Sequence, residues 1–172
     1  MDLAALVAEH HQAVYRYAYR LTGSVADAED LTQQVFLTAQ QKLGQLRSAA
    51  SGLSWLFSIL RNRFLKDCQK RRPIDAASLR LNVDSIPAEV PASETIDRER
   101  LQEALDKLPE TYRLVVTMFY FENCSYREIA EKLDVPPGTV MSRLARAKGQ
   151  LRAELIEADV EVEVDGQHSV TK

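Results

Sequence analysis

Of the 172 residues only two are cysteine and six glycine, and a single tryptophan is present. Cys68 and Cys124 stand far apart in no C-x-x-C spacing. They form neither a disulfide framework nor a zinc motif, and read as free thiols in a reducing compartment. No stretch approaches the ~20 apolar residues of a membrane span. The N-terminal MDLAALVAEHHQ carries Asp2 and too short an apolar run for a signal peptide. A cytoplasmic protein without membrane insertion is the expectation. Clustered reactive side chains are also missing. His10 and His11 are adjacent and diverge around a helix, and Asp27, Glu29 and Asp30 have no histidine or cysteine at ligand spacing. The reading is therefore of no enzyme, no metal and no cofactor.

Net positive charge is lacking too, since 22 bases face 25 acids. That average hides segregation along the chain. Residues 61–72 hold six bases and one acid, and 73–99 six acids and two bases. Residues 143–153 hold four bases and no acid, and 154–165 six acids and no base. Potentials decay over about 8–10 Å in physiological salt, so the local sign decides what each segment can bind.

What is present is helical periodicity. Leu6, Val14, Tyr17, Ala18 and Leu21 share a stripe ended by Gly23. Ser24 and Asp27 offer caps for a second helix carrying Ala28, Leu31, Val35 and Ala39, which ends near Gly44. A third runs through LSWLFSILRNRFLKDCQKRR and stops at Pro73. The acidic, proline-broken stretch 73–97 reads as a flexible linker. A second helical block follows over 98–155. The expected fold is all-α: a helical domain at 1–72, the linker at 73–97, and a second helical domain at 98–155. Beyond it, 156–172 is an acidic tail expected to be disordered. DVEVEVD within it alternates like a strand but has no partner strand nearby. The tail could alternatively compete with DNA for Arg143, Arg146 and Arg152.

SYREIAEKLDVPPGTVMSRLARAKGQLR, residues 125–152, contains no acid after Asp134. Ser125 and Glu128 form a capping box for a helix that turns Ile129, Ala130 and Leu133 inward. LDVPP breaks that helix, and Pro137 suits the first turn of the next. There Val140, Leu144, Ala147 and Leu151 lie on one side, and Ser142, Ala145, Arg146 and Gly149 on the other. Bases around a face of small residues can approach phosphates and base edges, which makes this a helix-turn-helix with a groove-reading second helix. A solvated charged face on a structural helix pair is the plainer alternative. In 54–72, Trp55, Phe57 and Phe64 interleave with bases. Such a mix can hold single-stranded nucleic acid, or equally be core aromatics beside a solvated face.

Together these segments resemble bacterial sigma factors of the extracytoplasmic-function (ECF) group of the sigma-70 family, over about residues 6–155. DAEDLTQQVFLTAQQKL is similar to the helix that docks on the clamp of RNA polymerase core, and LSWLFSILRNRFLKDCQKRR to the one that opens and reads the minus-ten element. The block from LDKLP at 105–109 to QLR at 150–152 resembles the domain that reads the minus-thirty-five element. The resemblance implies core-polymerase contacts at Asp30, Gln33, Gln34 and Leu37. It implies minus-ten contacts at Leu46, Trp55, Arg61, Asn62, Arg63 and Lys66, with Asn62 holding an unstacked base. Minus-thirty-five contacts fall at Arg127, Thr139, Met141, Ser142, Arg143, Ala145, Arg146 and Lys148. This chain departs from the family pattern at Gln34, usually an acid, at Leu46, often aromatic, at Met141 and Ala145, often larger or basic, and at Asp134, often glycine.

The implied function is a non-enzymatic initiation factor that directs core polymerase to promoters and helps open them. Its implied partners are core polymerase (the beta-prime clamp helices and beta flap), promoter DNA and an anti-sigma factor. Two other readings remain: a sigma mimic that titrates an anti-sigma factor, and a stand-alone helix-turn-helix regulator.

Overall fold

The computed structural model of the chain describes residues 3–46, 48, 51–71 and 98–166, with Arg71 and residues 157–166 as backbone alone. The expected linker at 73–97 and the last six residues lie outside the described residues. Among those described, every regular element is helical, and the chain divides into two compact units, Met1–Asn82 and Val83–Lys172.

In the first unit, α1 (Leu3–Thr22), α2 (Val25–Lys42) and α3 (Gly52–Arg71) pack pairwise. The stripe Leu6, Val14, Tyr17, Ala18 and Leu21 of α1 is buried against Ala28, Leu31, Val35, Phe36 and Ala39 of α2. Burying such side chains contributes about 1.5–3 kcal/mol for each large one. Gly23, at φ 69°, turns the chain between them, and Ser24 caps α2 by accepting the Asp27 amide. That φ is one L-residues with a Cβ seldom adopt. A short 3-10 turn, Leu43–Gln45, follows α2. From α3 come Leu56, Leu60 and Phe64. A Cβ at Gly52 would lie 3.2 Å from both His10 Nε2 and Leu6 Cδ2, so the absent side chain lets α3 begin against α1.

The second unit contains α4 (Arg98–Asp106), α5 (Glu110–Tyr120), α6 (Tyr126–Leu133) and α7 (Pro137–Gly166). Leu-Pro at 108–109 works with a buried arginine. Arg113 donates to the Asp106 carbonyl at 2.6 Å, the Leu108 carbonyl at 3.2 Å and Asp106 Oδ1 at 3.2 Å. The end of α4, where carbonyls have no intrahelical donor, is thus closed by a side chain from α5. Helices α4, α5 and α6 all pack on α7. Val140, Leu144 and Ala147 of α7 are buried, Leu151 is half-buried, and Lys107 pairs with Glu154.

α7 runs to Gly166, into the segment expected to be an acidic tail from residue 156. Extending a helix already nucleated costs little, and no proline or glycine intervenes between Leu151 and Gly166. The alternating DVEVEVD therefore continues the helix.

Candidate nucleic-acid interface

The turn between α6 and α7 is built from local chemistry. Ser125 Oγ accepts the Glu128 amide at 3.3 Å, and Glu128 Oε2 accepts the Ser125 amide at 2.7 Å, a complete capping box. Those bonds from the Ser125 backbone and hydroxyl hold the Glu128 carboxyl below the usual glutamate range. Asp134 ends α6 in the left-handed region at φ 53°, its amide donating to Ala130 and Glu131 carbonyls. Asp and Asn tolerate this conformation better than most residues. Pro137 is the first residue of α7, as its missing N–H allows.

On α7 the first turn carries no acid, so its own side chains set no carboxylate against the positive helix end. Met141 is exposed, and Thr139, Ser142, Arg143, Ala145, Arg146 and Lys148 are half-buried. Ser142 Oγ donates to the Thr139 carbonyl at 3.0 Å. Burial pushes the Arg143 guanidinium below the ordinary arginine range, with Tyr112 acting in the opposite direction; an arginine stays charged nonetheless. Arg146 Nη1 donates to Tyr112 Oη at 3.5 Å, the long limit of a hydrogen bond. Tyr112, in the first turn of α5, thus reaches across to Arg146 on α7. Sequence reading missed it, and its only trace there was an aromatic three residues after the Leu-Pro turn. Lys148 Nζ sits 5.3 Å and 5.7 Å from the Phe119 and Tyr120 ring centres, in cation–π range. Arg127 is exposed on α6.

In the first unit, Asp30, Gln33 and Leu37 are exposed at helical spacing on α2, with Leu37 59% accessible. Gln34 is half-buried and bonded to Arg63. Asn62, Lys66 and Lys70 recur every four residues along the exposed side of α3. Trp55 and Leu46 are half-buried. Phe57 packs on Tyr17 at 4.7 Å between ring centres and Phe64 is buried, so these two aromatics serve the core. Arg61, expected to reach DNA, is 3% exposed, with Nη2 donating to Ser58 Oγ at 2.9 Å. Its position beside Leu60 and Phe64 carries it into the packed side of α3. Neither cysteine is in a disulfide; Cys68 is half-buried and Cys124 buried.

Residues 6–74 match the family described as Sigma-70 region 2, and residues 98–151 the one described as Sigma-70, region 4. The chain is 40% identical over 152 residues to the ECF RNA polymerase sigma factor SigE of Mycolicibacterium smegmatis, covering 86% of this chain and 59% of that protein. It is 34% identical over 166 residues to the ECF RNA polymerase sigma factor SigL of Mycobacterium tuberculosis, covering 92% of this chain and 91% of SigL. Among solved structures, the sigma factor RpoE in complex with the anti-sigma factor NepR from Bartonella quintana superposes with a TM-score of 0.66 at 26% identity. That match covers 92% of this chain and 98% of the other. No helix among the described residues is long and apolar enough to cross a membrane. With a match to region 2, a match to region 4 and a relative 34% identical across 91% of its own length, the chain belongs to the ECF sigma factors of the sigma-70 family.

Proposed function

We propose that the chain acts in the cytoplasm as a promoter-specificity subunit: it binds RNA polymerase core, reads two promoter elements and helps open the downstream one. The observation that carries this is the α6–α7 pair, where a full capping box and a left-handed Asp134 present a helix with no carboxylate between Asp134 and Glu154. Arg143, Arg146, Ser142 and exposed Met141 would face the upstream element in the major groove, with Arg127, Thr139 and Ala145 beside them. Asp30, Gln33 and Leu37 would meet the polymerase clamp, and Asn62, Lys66, Arg63, Trp55 and Leu46 the opened downstream strand.

Magnitudes limit what the chain can do alone. Opening DNA costs on the order of 1.4 kcal/mol per base-pair step, and stacking of one flipped base returns about 1–3 kcal/mol. Capture at Asn62 offsets one or two steps, so contacts made by the polymerase must supply the rest. An anti-sigma partner follows by likeness, because RpoE of Bartonella quintana was solved with one.

The test is to mix the purified protein with core polymerase of Mycolicibacterium smegmatis, measure binding, and map transcript starts on a pool of promoter fragments. Core binding with discrete new start sites is the expected result. Duplex binding without core would make the chain a stand-alone regulator, and binding of neither would leave the sigma mimic.

A further inference from the structure

Among Asp30, Gln33, Gln34 and Leu37, Gln34 alone is not exposed. Its Oε1 accepts from Arg63 Nε at 2.7 Å, a contact between α2 and α3 across 29 residues of chain. Its backbone carbonyl accepts from Thr38 Oγ1 at 2.8 Å, within α2. Asp67 stands farther from Arg63 Nε, at 3.8 Å, and both side chains of that pair are about a third exposed. An exposed pair at such a distance holds an arginine only loosely. Gln34 is the closer partner.

We propose that Gln34 is a positioning residue for Arg63, fixing the guanidinium beside Asn62 and Lys66 so that it meets the backbone of the opened DNA strand. This rests on the reading of α3 as the strand-binding helix. Two features of the contact favour it. The bond uses Nε, so the remaining N–H groups of the guanidinium fork stay available to phosphate oxygens, which they match in geometry. The acceptor is also neutral. A carboxylate at position 34 would bind Arg63 more tightly and cancel the charge that a phosphate needs, whereas an amide oxygen orients the group and leaves its charge intact. Lys66 lies three residues along from Arg63 and exposed, so the two cations occupy adjoining sides of α3.

The experiment uses the full chain bound to core polymerase, with a forked fragment cut from the strongest promoter of the start-site assay, its downstream element single-stranded. Gln34→Leu should weaken fork binding roughly three- to tenfold, the effect of losing one ordinary hydrogen bond that orients the arginine. Affinity for core should stay within about twofold, since exposed Asp30, Gln33 and Leu37 are untouched. Gln34→Leu combined with Arg63→Ala should bind the fork no more weakly than Arg63→Ala alone, as two residues acting through one contact require. Gln34→Glu should lower the salt dependence of fork binding by about 0.7 in log–log slope, the share of one single-strand phosphate.

A loss of core affinity in Gln34→Leu with unchanged fork binding per assembled complex would overturn the proposal and return Gln34 to the clamp face. Additive losses in the double variant would overturn it as well. Wild-type protein that binds core but no fork would instead remove the strand-binding reading of α3 itself, and this inference with it.

Discussion

Tyr112 restrains Arg146, one of the two arginines proposed to read the upstream element. Its hydroxyl is 3.5 Å from Arg146, yet it occupies a different helix. Tyr112→Phe removes only the oxygen and should weaken recognition of the upstream element roughly two- to fivefold, as expected for a long hydrogen bond worth about 0.5–1 kcal/mol. Anisotropy titration of the assembled complex against upstream-element DNA measures this, while Tm should stay within a degree or two. Arg61 makes the opposite case. Its charge suggests DNA, but its burial beside Leu60 and Phe64 makes it part of the core. Arg61→Ala should destabilise the first unit by about 2–4 kcal/mol, through lost stem packing and the unpaired groups left behind. Lys66→Ala, an exposed change, should leave Tm in place and weaken DNA binding; thermal melts beside binding titrations separate the two. Counting bases along a sequence cannot distinguish these residues, because the helical angle between 60 and 64 decides which one turns inward.

At the scale of elements, the sequence was most informative where local chemistry decides the outcome. The capping box at Ser125 and Glu128, the break at Asp134 and the start at Pro137 all lie where short-range signals place them. So do the buried stripes of α1 and α2. Contacts between elements were not legible. Nothing in a linear string joins Gln34 to Arg63, Tyr112 to Arg146, or Arg113 to the end of α4. The acidic stretch at the end of α7 reads two ways, because alternation of valine and acid imitates a strand while a preceding helix favours its own continuation. The Glu128 cap carries a pH dependence. A carboxyl held below its unfolded range stabilises the fold above that range, and the contribution is lost as pH falls through the lower folded value. Acidification from neutral to below the ordinary glutamate range should therefore lower the wild-type Tm more than that of Glu128→Gln, which has no proton to gain. Ser125→Ala should cost about 0.5–2 kcal/mol at neutral pH by denaturant titration. The continuous α7 also bears on the acidic segment. At about 1.5 Å per residue, residues 157–165 lie some 16–29 Å along the axis from Arg146, beyond the ~8 Å Debye length of physiological salt. Truncation after Ile156 should thus change DNA binding less than about twofold in 0.15 M salt. A larger gain would mean that the helix unwinds and folds back onto the arginines.

The whole molecule joins two independently packed units through a segment whose length sets a hard limit. Two promoter elements roughly two duplex turns apart are separated by about 70 Å. The twenty-five residues 73–97 span at most about 80–90 Å when fully extended, but only about 25–30 Å as a free coil. A free coil of that length averages well under the separation, so binding both elements at once would require core polymerase to keep the units apart. Weak promoter binding by the isolated protein follows from this, independently of how well either head reads its element. The sharper consequence concerns length. Removing residues 79–90 leaves thirteen residues of the segment, reaching about 43–47 Å even when taut, which falls short of the separation. Each unit keeps its own core, so this variant should retain its Tm and its affinity for core polymerase. It should nevertheless lose transcription from promoters that need both elements, by tenfold or more. Replacing the same twelve residues with an equally long Gly/Ser stretch restores reach without restoring sequence, and should recover most of that transcription in the start-site assay. Failure of the Gly/Ser variant to recover would show that side chains of the segment, and not its span, contribute to initiation.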